Sequence, residues 1–129
     1  MPQFTTTPVV SKIECNAALQ ALSDAIYAIG GKWKLRIILA LSEGHNRFND
    51  IQRNIEGISA RVLSNELKDM EMNGFISRTV HPGSPAIVSY GLTEYSGTLD
   101  NVIRALIEWG MMHRMNIKNG MRETAPLSS

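Results

Sequence analysis

The chain has a single cysteine, Cys15, among 129 residues, which excludes an internal disulfide and fits a reducing compartment. Long hydrophobic runs are missing as well. The longest uninterrupted apolar stretch, 37–41, is far shorter than the roughly 20 residues that cross a bilayer. The opening MPQFTTTPVV has no basic segment followed by an apolar one, so no secretory signal is expected. These absences lead to the expectation of a cytoplasmic protein without membrane contact. An excess of charge of one sign is also lacking: 13 basic residues face 12 acidic ones, for a net charge of +1. Any nucleic-acid binding must therefore come from where the charges sit, not from their sum. Eight of the basic residues lie before position 69. Catalytic motifs are absent too. Cys15, His45, His81 and His113 are scattered, and no nucleophile elbow, phosphate loop or metal-ligand pair accompanies them. No enzyme, metal or cofactor is expected.

What is present is an ordinary globular composition, 43% apolar and 19% charged, of a length that suits one domain. That domain is expected over 15–118, between flexible tails at 1–14 and 119–129. Leu19, Leu22, Ile26 and Ile29 recur at helical spacing and predict a helix over 16–29, stopped by Gly30-Gly31. A second helix, 33–42, is apolar on nearly every side and is expected in the middle of the domain. Lys32 before it and Lys34 and Arg36 within it are read as structural or solvent-facing.

The next thirty residues carry the function. Residues 47–54 read as a short helix with Phe48 and Ile51 inward. Glu56-Gly57-Ile58-Ser59 reads as a tight turn, and 60–73 as a strong helix ended by Gly74. Two helices joined by a short glycine-containing turn form the helix-turn-helix pattern. Strands over 75–81 and 86–92, joined through a type II turn at Pro82-Gly83, add a wing. Alternation puts Ile76 with Val80 on one face, and Val88, Tyr90 and Leu92 on one face of the second strand. The expected fold is mainly α with a small β-hairpin, a winged helix-turn-helix with N- and C-terminal dimerisation helices. The last helix, from about 93 to 117, carries Tyr95, Leu99, Val102, Leu106, Trp109, His113 and Ile117 on one side. Asp100, Arg104 and Glu108 lie on the other side. A stripe that long exceeds what a small domain needs for its own core and is assigned to a partner subunit.

On a wheel of 60–73, Leu63, Leu67 and Met70 face the core, while Arg61, Ser64, Asn65 and Lys68 face the opposite way. Such a strip suits a major groove, where arginine pairs with guanine and asparagine with adenine. A solvated helix face is the bland alternative. Ser59 has two compatible roles, as N-cap and as phosphate contact. Arg78, exposed by alternation, and Ser84 at the wing tip are expected to touch phosphate. Arg47 and Arg53 either clamp phosphate or are ordinary surface residues. Met72 also projects outward. The rival function is a winged helix used only for protein contact. RNA is disfavoured because the strip has no exposed aromatics to stack unpaired bases.

Four segments together resemble the HxlR family of bacterial winged-helix regulators, a branch near the MarR group. They are GGKWKLRIILAL (30–41), RFNDIQRNIEGISARVLSNELKDMEMNGFI (47–76), VSYGLTE (88–94) and ALIEWG (105–110). The resemblance implies a homodimeric transcription factor on a pseudo-palindromic operator, with Ile58–Ser64 falling on the DNA-reading helix. It also implies a dimer interface from the first and last helices: Leu19, Leu22, Ile26, Leu99, Val102, Leu106, Trp109 and His113. Ser89 and Ser96 depart from the family's usual acid and glycine. Some members sense oxidants or electrophiles through a cysteine ahead of the first helix, and Cys15 falls in that region. A helix N-terminus favours the reactive thiolate, with Lys12 helping and Glu14 opposing; a packed, inert thiol is the alternative. A small-molecule effector between the last helix and the DNA-binding lobe is left open.

Overall fold

The computed structural model describes residues 12–124. Of the expected tails, 1–14 and 119–129, residues 1–11 and 125–129 lie outside the described residues. In chain order the elements are α1 (Lys12–Ile29), α2 (Lys34–Ser42), α3 (Phe48–Asn54), α4 (Ala60–Met72), β1 (Ile76–His81) and β2 (Ile87–Leu92). A 3₁₀ turn at Tyr95–Leu99 then leads into α5 (Asp100–Thr124). Helix therefore extends beyond the expected domain at both ends, beginning at Lys12 and continuing past residue 118 to Thr124. The final helix also starts later than expected, because Thr93 is used for closure rather than for the first helical turn.

The core forms where four elements meet. Ile37 of α2, Ile51 of α3, Leu63, Leu67 and Met70 of α4, and Ile76 of β1 are all almost completely buried. Each such side chain contributes about 1.5–3 kcal/mol relative to an exposed one. α2 is central, as its apolar composition predicts, although Leu39 on its outer side is 42% exposed. Only Ala28 and Ile29 of α1, and Leu99 and Ile103 around the start of α5, pack on this core among the described residues of those segments.

The end of α4 is fixed by Gly74, whose φ of +84° few other residues adopt. That conformation lets Phe75 N–H reach the Met70 carbonyl (3.0 Å) and Gly74 N–H reach the Glu71 carbonyl (3.1 Å), satisfying the last turn. Phe75 and Ile76 are thereby turned into the core as the chain enters β1.

β1 and β2 pair antiparallel from Ile76↔Leu92 to His81↔Ile87. The expected type II turn does not form, since Gly83 lacks the positive φ that its position requires. Residues 82–86 cross between the strands instead, with Ser84–Pro85 cis. A two-residue turn at Pro82-Gly83 would pair His81 with Ser84 and bring Pro85, which has no N–H, into the ladder next. Tyr90 N–H donates to the Asn46 carbonyl (2.8 Å), tying β2 to the chain before α3. Thr93 N–H donates to the Phe75 carbonyl (3.1 Å), and the Thr93 hydroxyl lies within hydrogen-bond reach of the Gly74 and Phe75 carbonyls. Ser96, buried behind it, donates its N–H to that hydroxyl. Thr93 thus clasps the base of the wing to the end of α4.

Candidate nucleic-acid interface

The helix-turn-helix unit is α3, the turn at 55–59 and α4. Ile55 and Ile58 are buried and anchor the turn to the core. Gly57 between them has φ +88° and reverses the chain without a side-chain clash. Ser59 is extended (φ −83°, ψ 160°), and its Oγ accepts the Val62 N–H at 3.1 Å. That hydrogen bond satisfies one of the free donors at the start of α4.

α4 divides cleanly. Leu63, Leu67 and Met70 are buried, while Arg61, Asn65 and Lys68 are exposed on the opposite side. Ser64 is half-buried at one edge. Met72 extends the outer face toward the helix end and is 86% exposed. Burial of one face fixes the rotation of α4, so the exposed strip is held in one direction by the core.

Charge on α4 is less favourable to a phosphate backbone than the strip alone suggests. Glu66, Asp69 and Glu71 outnumber Arg61 and Lys68. Lys34 at the start of α2 answers this: its Nζ lies 2.8 Å from Glu66 Oε1 and 3.2 Å from Asp69 Oδ2. The Lys34 side chain is 15% exposed and that of Glu66 24%, whereas Asp69 is half open to solvent. The bond to Glu66 is therefore the less screened of the two. Burial lowers the Lys34 pKa, but hydrogen bonds to Glu66 and Asp69 and their negative charges raise it by more, leaving it above 10.5. Sequence reading missed this pairing. The signal was the surplus of carboxylates on a helix meant to meet DNA.

Between α4 and the wing lies an open cleft of about 310 Å³ lined by Ser64, Lys68, Glu71, Arg78 and Tyr90. Arg78 is exposed, but not on the side that alternation was taken to imply. It shares a face with Ile76 and Val80 and pairs with Tyr90. Only Ile76 of these three is covered by the core; the strand then runs out past it, leaving Arg78 and Val80 exposed, Arg78 in the cleft beside α4. The structure thus brings Ser64, Lys68 and Arg78 together. Ser84 is exposed at the wing tip. Arg47 is the exposed residue preceding α3, and Arg53 pairs with Asp50 on its own helix. Neither joins the α4 cluster directly. Lys32 and Arg36 sit over the Trp33 ring, at 4.8 and 5.6 Å from its centroid.

The residues expected at a subunit interface lie on the two projecting helices. Leu19, Leu22 and Ile26 of α1 are exposed, as are Val102, Leu106 and Trp109 of α5. His113 stacks on Trp109 (centroids 4.8 Å). Leu99 is half-buried against its own core and has less surface to offer. Cys15 is exposed and lies one turn inside α1 rather than ahead of it. At helical spacing, 15, 19, 22 and 26 share one face, so the thiol heads the exposed apolar stripe.

Comparison with known proteins agrees with this architecture. An uncharacterized HTH-type transcriptional regulator of Methanothermobacter thermautotrophicus is 39% identical over 108 residues, covering 84% of this chain and 82% of that protein. The redox regulator HypR in its reduced form superposes with a TM-score of 0.71 at 31% identity, covering 77% of this chain and 98% of that one. A MarR-family transcriptional regulator of Enterococcus faecalis V583 gives a TM-score of 0.69 at 27% identity, covering 89% and 99%. These relatives are regulators rather than enzymes, and this chain is no enzyme either. No helix among the described residues is long and apolar enough to cross a membrane. The model of the HxlR-like helix-turn-helix family matches residues 28–118, and the chain belongs to that family of transcriptional regulators.

Proposed function

We propose that the protein binds duplex DNA sequence-specifically as a homodimer and regulates transcription by doing so. The observation that carries this reading is the division of α4. Leu63, Leu67 and Met70 lock one face into the core while Arg61, Asn65 and Lys68 stand free on the other. In the major groove, Arg61 can pair bidentately with guanine and Asn65 with adenine, and Ser64 and Lys68 can reach bases or phosphates. Arg78 and Ser84 of the wing, Ser59 before α4, and Arg47 and Arg53 around α3 are then phosphate contacts that set register rather than sequence. Met72 is the one feature favouring protein contact, but a single apolar anchor amid hydrogen-bonding groups makes a poor protein hot spot.

The dimer in this reading is built from the exposed stripes of α1 and α5, which find no cover among the described residues of their own subunit. Two-fold symmetry then sets the operator as a near-palindrome, with half-sites about one helical turn apart. Cys15, at the head of the α1 stripe, is a thiol switch in this scheme, a role supported by the likeness to HypR. A two-electron oxidant such as diamide takes two electrons and two protons from the Cys15 thiols of both subunits as one S–S bond forms. The covalent link would change the spacing of the two α4 helices.

Fluorescence anisotropy on DNA flanking the protein's own gene, against a shuffled fragment at the same salt, tests the reading. Preference for the native fragment is expected, with two hydroxyl-radical footprints one turn apart. Equal binding to both fragments would reduce the interaction to nonspecific phosphate attraction, and no binding at low salt would favour a protein-contact module.

A further inference from the structure

Lys34, at the start of α2, lies outside the helix-turn-helix and belongs to none of the expected contacts. Its position nevertheless bears on every phosphate that α4 would approach. α4 carries three carboxylates against two cations, so by itself it is net negative and would repel the duplex. Two of those carboxylates, Glu66 and Asp69, are drawn to one ammonium group contributed by α2. With Lys34 counted, α4 becomes neutral. Its remaining acid, Glu71, lines the cleft that also holds Lys68 and Arg78.

We propose that Lys34 is a positioning residue for DNA binding. It holds Glu66 and Asp69 back against α2 and offsets one of their two charges, so that Glu71, beside Lys68, is the one carboxylate of α4 not drawn to Lys34 when the duplex meets Arg61, Asn65 and Lys68. The assignment rests on the DNA-binding reading above. Lys34 itself touches no DNA in this scheme. Its attraction to Glu66 is strong for a surface pair because both groups are largely desolvated, and one lysine donates to two acceptors in a fixed geometry. Removing it leaves both carboxylates free to turn toward solvent on the flank of the strip, where like charges oppose association.

The experiment measures binding to a generic-sequence duplex by anisotropy at about 50 and 200 mM salt. It compares wild type, Lys34→Met, Lys34→Met with Glu66→Gln and Asp69→Asn, and Lys34→Met with Asp100→Asn and Glu108→Gln. The last variant removes the same number of negative charges from α5, from residues that form no ion pair with Lys34. Circular dichroism and thermal melts establish that each protein is folded at the binding temperature. Lys34→Met is expected to weaken binding roughly tenfold at the lower salt, and by less at the higher, because the repulsion is screened. Neutralising Glu66 and Asp69 is expected to restore binding, and neutralising Asp100 and Glu108 is not.

A folded Lys34→Met protein that binds like wild type overturns the proposal. So does a loss that is independent of salt, which marks a packing effect. Equal rescue by the α5 substitutions also overturns it, since net charge alone would then be responsible. Failure of the wild type to bind any duplex at low salt removes the DNA-binding reading itself, and that arm separates the two failures.

Discussion

The ring of Tyr95 stacks on that of Phe75, with centroids 5.5 Å apart and planes 14° from parallel. Phe75 follows directly on α4, and Tyr95 opens the 3₁₀ turn that leads into α5. One aromatic pair thus connects the end of the proposed reading helix to the start of the proposed dimerisation helix. The Thr93 clasp, whose hydroxyl reaches the Gly74 and Phe75 carbonyls, lies beside it. Tyr95→Ala is expected to lower the unfolding free energy by about 0.5–1.5 kcal/mol, the worth of such a stack beyond its buried area, as read by urea denaturation. An unchanged midpoint and slope would leave the pair no structural role.

Ser59 ends the turn and caps α4. Ser59→Ala removes the oxygen that accepts from Val62 N–H and is expected to cost about 1 kcal/mol, while Ser59→Asn, which keeps an acceptor, costs much less. Equal losses in the two variants would assign the effect to something other than the cap.

A charge introduced into the α5 stripe tests the interface. Leu106 is exposed and is not part of the core cluster, so Leu106→Glu leaves the subunit folded by circular dichroism. Sedimentation velocity is expected to show a dimer for the wild type, as proposed, and a monomer for the variant. A dimeric, folded Leu106→Glu protein would move the interface away from this stripe.

The Lys34 ion pair predicts an alkaline signature. Its pKa is raised in the folded protein above the ordinary 10.5, because the bonds and charges of Glu66 and Asp69 outweigh the opposing effect of burial. A cation of this kind stabilises the fold fully below its unfolded value and loses that contribution as pH rises through the folded value. The stability difference between wild type and Lys34→Met is therefore expected to stay level through neutral pH and to shrink only above 10.5. A difference that faded at mildly alkaline pH would contradict the pairing.

Much of this was legible in the sequence because it is local. The spacing of Leu63, Leu67 and Met70 defines the buried face of α4, and the Gly57 and Gly74 positions mark where the chain must turn. The exposed stripes on α1 and α5 follow from the same periodicity. What escaped was set by distant partners. Lys34 and Glu66 are 32 residues apart, and nothing near either position announces the other. Arg78 was placed by alternation, but its neighbours depend on where the core stops along β1. The Pro82-Gly83 pair suggested a tight turn locally, while the register of the two strands and Pro85 ruled it out. The run of α5 to Thr124 continues beyond the last residue of the apolar stripe, so periodicity gave no notice of it.

Arg61 offers the most direct test of the recognition helix. Wild type and Arg61→Ala are compared by anisotropy on the native flanking DNA and on its shuffled control, at one salt concentration. Arg61→Ala is expected to lose about 1–3 kcal/mol of the preference for the native fragment while keeping most of its affinity for the control. An Arg61→Ala protein that retains the full preference would show that α4 does not read the sequence through this residue and would contradict the assignment.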